Sequence, residues 1–370
     1  MTATSALAPA VESTQEDLAP SDFDQSNLAL RDIARALVAG DKGLLAIDES
    51  ITTCNRRFAR LGIAQDEPTR RAYRELLVTT PGLGEAISGV ILYDETIRQH
   101  TVQGVPFLTV LAEAGIIPGI KVDRGATPMA GHPHEKVTEG LDGLRERLTE
   151  YAQMGARFAK WRAIFSISSD TPGASTPSRA CIEANAHALA RYAALCQEAG
   201  LVPIVEPEVL MAGEHSLSRC GEVTEQVLRE VFAQLHTQGV ELEAMLLKPS
   251  MILAGSAYRK QGSAQAVAEA TISCLRRAVP AAVAGIAFLS GGQSGDLASC
   301  HLNAINTDQS LLPWPVAFSF GRAIQQPALT IWHGDEANVA NAQEALLQRA
   351  TSNQRARHGG YLRSSSTHRT

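Results

Sequence analysis

The chain has 370 residues, with 33 Lys+Arg against 39 Asp+Glu and a formal net charge of −6. Hydrophobic residues make up 45% and charged residues 19%, which suits a packed globular protein and excludes a largely disordered one. The mild acidity removes the counterion-release attraction of a basic protein for nucleic acid, while small anionic substrates stay open through a locally basic pocket.

Residues 1–25 carry acidic side chains and neither a basic flank nor an apolar core, so they read as a flexible lead rather than a signal or transit peptide. No apolar run approaches the ~20 residues of a membrane helix, and a cytoplasmic chain without membrane partners is expected. A helical lead over Ser26–Val38 precedes the first of eight strand candidates. These are Gly43–Asp48, Ile87–Asp94, Pro118–Asp123, Ala156–Arg162, Leu201–Glu208, Ala244–Ser250, Val283–Ser290 and Pro315–Arg322. Several are apolar on both faces, as in parallel strands covered on both sides.

Asp142–Met154, Cys181–Ala199, Glu222–Gln238 and Ala264–Ala278 carry apolar residues at three- and four-residue spacing, the pattern of amphipathic helices. Gly155, Gly200 and Gly239 follow three of them where helices usually stop. A last helix is expected over Ala337–Ala350, with residues 351–370 as a mobile tail. Strands alternating with helices imply a parallel sheet, and eight units without a GxGxxG turn after the first strand favour a closed (β/α)8 TIM barrel over residues 26–350. The six cysteines are scattered and read as buried reduced thiols.

Barrel enzymes place their chemistry at the C-terminal ends of the strands. Those ends here carry Asp48, Asp94, Lys121 with Asp123, Lys160 with Arg162, Glu206 with Glu208, Lys248 and Arg322. Charge within apolar strands is costly unless paired, and its recurrence at so many ends marks an active site. Lys121, Lys160 and Lys248 converge on one mouth, where crowding and desolvation favour the neutral amine that attacks a carbonyl. Each of the three also reads as a phosphate ligand or ion-pair partner. Lys248, inside AMLLKPSM without an adjacent carboxylate, is the best nucleophile candidate. Glu206 and Glu208 share a strand face and suit proton transfer, with a salt-bridge network as the alternative reading.

SGGQS at Ser290–Ser294 and SFGR at Ser319–Arg322 follow strands seven and eight, where barrels often bind phosphate through backbone N–H groups. Lys121 and the Asp48-Glu49-Ser50 loop offer a second phosphate position. The ten histidines include only one close pair, His132 and His134, and show no zinc-type spacing, so neither a metal nor another cofactor is expected.

Taken in order, GLLAIDES, GVILYDET, PGIKVDRG, FAKWR, VPIVEPEVL, LLKPSM, FLSGGQS and FSFGRA resemble the class I, Schiff-base-forming fructose-bisphosphate aldolases from about Asp41 to about Asn353. The resemblance implies reversible cleavage of fructose 1,6-bisphosphate to dihydroxyacetone phosphate and glyceraldehyde 3-phosphate, without a metal, by a homo-oligomer that in this family is commonly a tetramer. It assigns the Schiff base to Lys248, proton transfer to Glu206 with Glu208 beside it, tuning and orientation to Lys160 and Arg162, and the C4-hydroxyl proton to Asp48. It assigns the C1 phosphate to Ser290, Gly291, Gly292, Gly321 and Arg322, with Ser319 beside them, and the other phosphate to Lys121, Ser50 and Arg57.

Two departures stand out. The family usually has Thr-Gly after Asp-Glu-Ser, whereas this chain reads Ile51-Thr52-Thr53, and the lost glycine predicts an altered loop there. Animal members end in a tyrosine that assists proton transfer, and Tyr361 is not assigned that role. Rival readings are a transaldolase-like Schiff-base barrel, an aldolase acting mainly on fructose 1-phosphate or sedoheptulose 1,7-bisphosphate, and a non-catalytic scaffold descendant.

Overall fold

The computed structural model describes residues 22–167, 176–307 and 312–362; the expected lead through residue 21 and the tail from residue 363 lie outside them. Among the described residues ten strands form in chain order: β1 Gly43–Ala46, β2 Ile87–Leu92, β3 Ile117–Lys121, β4 Ala126–Pro128, β5 Lys136–Thr138, β6 Phe158–Phe165, β7 Val202–Val209, β8 Leu246–Leu247, β9 Gly285–Phe288 and β10 Val316–Phe320. Eight of them close into a parallel barrel in the order β1-β10-β9-β8-β7-β6-β3-β2, so all eight strand candidates are strands of one (β/α)8 barrel. The antiparallel pair β4–β5 was not foreseen and lies outside the barrel, in the connection that follows β3.

The barrel has two apolar layers. An inner one gathers Leu44, Ile91, Phe158, Val202, Ile204, Leu246, Ala287 and Ala317 from the strands with Leu30, Ala34 and Leu37 from the leading helix Asp22–Leu37 and Val38 just after it. That helix therefore covers the N-terminal end of the barrel, because the small residues there leave room for it. A Cβ on Gly89 would lie 2.7 Å from Leu37, and one on Gly285 2.8 Å from Val38. The outer, larger layer lies between strands and surrounding helices.

Serine starts five of the described helices. Ser50, Ser178, Ser216, Ser263 and Ser294 each accept a backbone N–H three residues on, satisfying a donor that the first turn leaves free. Gly155, at φ +116°, ends the helix Leu144–Met154 where the sequence placed a stop.

The last helix corrects its expected end. It runs Val339–Ala356 rather than stopping at Ala350, and the residues expected to be mobile from 351 are docked as far as Tyr361. Asn353 accepts the Ser299 hydroxyl at 2.6 Å, and Arg357 donates to the carbonyls of Val316 at 3.0 Å, Val38 at 3.2 Å and Lys42. Tyr361 donates its backbone N–H to Asn303 at 2.7 Å and its hydroxyl to Asp296 at 3.2 Å. The leading helix likewise starts earlier than expected, at Asp22 instead of Ser26. The six cysteines are free, five of them buried and Cys300 half-buried.

Candidate active site

The C-terminal strand ends open on one cavity of about 1080 Å³, and every residue selected from the sequence lines it. Strand register explains the convergence. Lys121 on β3 stands beside Lys160 on β6, Arg162 beside Glu206 on β7, and Ile164 beside Glu208. Residues two apart share a face, so Lys160 with Arg162 and Glu206 with Glu208 point to the same side.

At the centre Lys160 Nζ lies 2.7 Å from Asp48 Oδ2, 3.1 Å from Glu206 Oε2 and 3.9 Å from Asp123 Oδ2. Lys248 Nζ lies 3.2 Å from the other Glu206 oxygen, and among the described residues Glu206 is the one carboxylate within salt-bridge reach of it. Lys121 Nζ pairs with Asp123 Oδ1 at 2.7 Å and donates to the Asp123 carbonyl at 2.6 Å. Arg162 pairs with Glu208. Lys160, Lys248 and Glu206 are buried, only 3%, 3% and 4% exposed. Four cations thus meet four carboxylates, which answers the cost that unpaired buried charge would carry.

Electrostatics marks out Lys160 among the three lysines. Burial alone would lower the Lys160 pKa, but Asp48, Glu206 and Asp123 outweigh it and raise the value, so Lys160 stays an ammonium. Burial would raise Asp48, and the charges of Lys160 and Lys248 outweigh it, holding the carboxyl well below the usual range. Arg162 behaves like Lys160: burial opposes its charge, and Glu208 and Glu206 restore it with surplus. Crowding of cations is therefore compensated at Lys160. Among the described residues Lys248 and Lys121 each have one carboxylate within salt-bridge reach, Glu206 and Asp123, against three for Lys160.

The phosphate candidates lie on two adjacent strand ends. Gly291 and Gly292 take φ +58° and +93°, left-handed values that glycine adopts without a Cβ penalty. A Cβ on Gly292 would lie 3.5 Å from Arg322 Nη2, so the guanidinium spans the turn. Arg322 opens the helix Arg322–Trp332, with Gly321 at its cap. Ser319 is buried, and its hydroxyl has no protein partner among the described residues.

Across the mouth, Ser50 caps the helix Ile51–Ala59, accepting the Thr53 N–H at 3.3 Å. Ile51, Thr52 and Thr53 are thus the first helical turn. Right-handed helix needs no glycine, so this chain accommodates Ile51-Thr52-Thr53 here without a left-handed residue. Arg57 lines the cavity, but its Nη1 is bound to Glu49 at 2.5 Å and Gln325 at 2.9 Å. The exposed Arg56 and Arg60 line the same side.

Sequence reasoning missed two contributors. Asp123 was seen only as an end charge, yet it joins Lys121 to Lys160. Glu49, between two selected residues, binds Arg57, Arg74 at 3.0 Å and Gln325 at 3.0 Å beneath the mouth. Its position between Asp48 and Ser50 was the available signal. Among the described residues no group of three His, Cys, Asp or Glu is placed to hold a metal.

A family model described as class-I fructose-bisphosphate aldolase, glycolytic, matches residues 29–370. A protein of Xanthomonas campestris pv. campestris named "Probable fructose-bisphosphate aldolase class 1" is 56% identical over 325 residues, covering 88% of this chain and 96% of its own. "Fructose-bisphosphate aldolase 6, cytosolic" of Arabidopsis thaliana is 49% identical, covering 89% and 91%. The solved fructose-bisphosphate aldolase of Plasmodium falciparum, in complex with TRAP and a small-molecule inhibitor, superposes with a TM-score of 0.89 at 45% identity, covering 92% and 96%.

Proposed function

The chain belongs to the class I fructose-bisphosphate aldolase family and cleaves fructose 1,6-bisphosphate, and on that premise we propose how its residues divide the reaction. The carrying observation is that one carboxylate, Glu206, bridges two ammonium groups of different character. Lys160 is held charged by three carboxylates, whereas among the described residues Lys248 pairs with Glu206 alone.

Glu206 takes a proton from Lys248, freeing the amine to attack the C2 carbonyl of the open-chain ketose. The carbinolamine loses its hydroxyl as water, the proton returning from Glu206, and an iminium remains on Lys248. That cation is the electron sink for breaking C3–C4: Asp48 takes the C4-hydroxyl proton, glyceraldehyde 3-phosphate leaves, and the bonding pair becomes an enamine. Protonation at C3 and hydrolysis of the imine release dihydroxyacetone phosphate and restore Lys248. Lys160 supplies a fixed positive charge beside the reacting carbons throughout. Arg162, anchored by Glu208, orients the sugar hydroxyls.

The C1 phosphate is taken by the Gly291 and Gly292 N–H groups, the Ser290 and Ser319 hydroxyls and Arg322, at the opening of the helix Arg322–Trp332. The other phosphate sits across the mouth near Ser50, Lys121 and Arg57. A cytosolic location is supported by the printed names of the Arabidopsis relatives, and among the described residues no helix is long and apolar enough to cross a membrane. A homo-oligomer is part of the same proposal, and light scattering of the purified chain checks it.

Borohydride reduction with dihydroxyacetone phosphate in EDTA, followed by peptide mass spectrometry, tests the central assignment. A reduced adduct is expected on Lys248. An adduct on Lys160 or Lys121, or none on any lysine, overturns it.

A further inference from the structure

Behind the Ser290–Gly292 turn lies a buried polar chain that the reaction scheme does not use. Gln293 and His301 are only 4% and 3% exposed. His301 stands on the helix Gly295–Asn306 with Nδ1 2.6 Å from Gln293 Oε1. Gln293 Nε2 donates to the Ser290 carbonyl at 3.0 Å and lies 3.7 Å from Met251 Sδ. The Gln293 backbone N–H reaches the same carbonyl at 3.0 Å. Met251 follows Lys248 by three residues, and Leu289 N–H donates to the Pro249 carbonyl at 3.1 Å, so the chain touches both the phosphate turn and the lysine strand.

The proton positions follow from what each partner can do. A carbonyl and a thioether only accept, so Gln293 must turn its NH2 toward Ser290 and Met251. Its oxygen is then left for His301, and Nδ1 must carry the imidazole hydrogen. Burial pushes this imidazole down to about 4, so near neutral pH it holds a single N–H, committed to Gln293. The opposite tautomer would invite Gln293 to flip and set two carbonyl oxygens against each other in a buried space.

Peptide planarity carries the constraint to the ligand. In a trans peptide the Ser290 C=O and the Gly291 N–H point in opposite directions. Holding the carbonyl toward Gln293 therefore aims the Gly291 N–H away from it. We propose that His301 is a positioning residue for phosphate binding: acting through Gln293, it fixes the Ser290–Gly291 peptide and so the direction of the N–H that meets the ketose C1 phosphate. The inference rests on the reading above that this turn binds that phosphate.

His301→Leu removes the donor, whereas His301→Asn places an amide N–H near the position of Nδ1. His301→Leu should raise both the KM for fructose 1,6-bisphosphate and the Ki of inorganic phosphate about tenfold, with kcat within about twofold, while His301→Asn restores both constants. Unchanged constants in a folded His301→Leu, equal impairment of the two variants, or a fall in kcat at unchanged KM overturns the proposal. Should His301→Leu fail to fold, Gln293→Met keeps an apolar fit and should raise the same constants; unchanged values there overturn it as well. Arg322→Ala separates the two levels. If it leaves both constants unchanged, the phosphate assignment itself fails; if it raises them while His301→Leu does not, only the positioning role fails.

Discussion

Replacing Glu206 by Gln keeps the side-chain shape and removes the charge that joins the two lysines. At 3.2 Å and 3.1 Å from Lys248 and Lys160, each pairing has a gross attraction of about 5 kcal/mol at an effective dielectric of about 20. Lys160 keeps Asp48 at 2.7 Å, whereas Lys248 loses the carboxylate it pairs with. No carboxylate then stands at that distance to accept the Lys248 ammonium proton or to return it to the leaving hydroxyl. The expected result is kcat lower by about 10²- to 10⁴-fold, with KM nearly unchanged because Glu206 touches neither phosphate position. A coupled assay that oxidises NADH as dihydroxyacetone phosphate appears measures both constants. Slow borohydride trapping should still label Lys248. A kcat within about tenfold of the parent would refute the proton-transfer role of Glu206.

Two further outcomes follow from the packing and the charges. A Cβ on Gly119 would lie 2.2–2.4 Å from three ring carbons of Phe158, so Gly119→Ala should cost about 1–3 kcal/mol in urea unfolding. Adding Phe158→Leu should recover part of that loss, and strictly additive costs would contradict the close approach. Burial opposes the Asp48 charge but Lys160 and Lys248 prevail, so its folded pKa lies below the unfolded value of about 3.9. Its carboxylate stabilises the fold above that value, and the contribution is lost as pH falls toward the folded one. Asp48→Asn should therefore show a shallower loss of stability than the parent between about pH 5 and 3; equal slopes in urea melts would count against the pairing.

The barrel was legible because each strand is a short apolar run ending in charge or glycine. What stayed hidden has physical reasons. The helix Ile51–Ala59 begins with Ile, Thr, Thr and Cys, weak helix formers, and depends on its Ser50 cap and on burying Cys54 and Phe58. The helix Arg322–Trp332 carries Pro327 inside it, which reads as a break. Residues 351–362 are mostly polar, which in sequence reads as exposure, yet Asn353 and Arg357 are buried because their donors and acceptors find partners. In the site, strand-end charges picked out the residues but could not say which lysine faces which carboxylate. That depends on register between strands, such as Arg162 beside Glu206, which is a tertiary property.

Closure of the barrel sets a schedule for the chain as it is made. Leu44 on β1 pairs with Ser319 on β10, 319 − 44 = 275 residues later. At the usual 5–20 residues per second of synthesis, roughly 14–55 s pass before the partner strand leaves the ribosome. Until then one edge of β1 offers unsatisfied backbone groups to any passing strand. With only four residues, Gly43–Ala46, β1 gives a stray strand little to join. The brevity of the first strand thus protects the nascent chain during the interval in which the barrel cannot yet close.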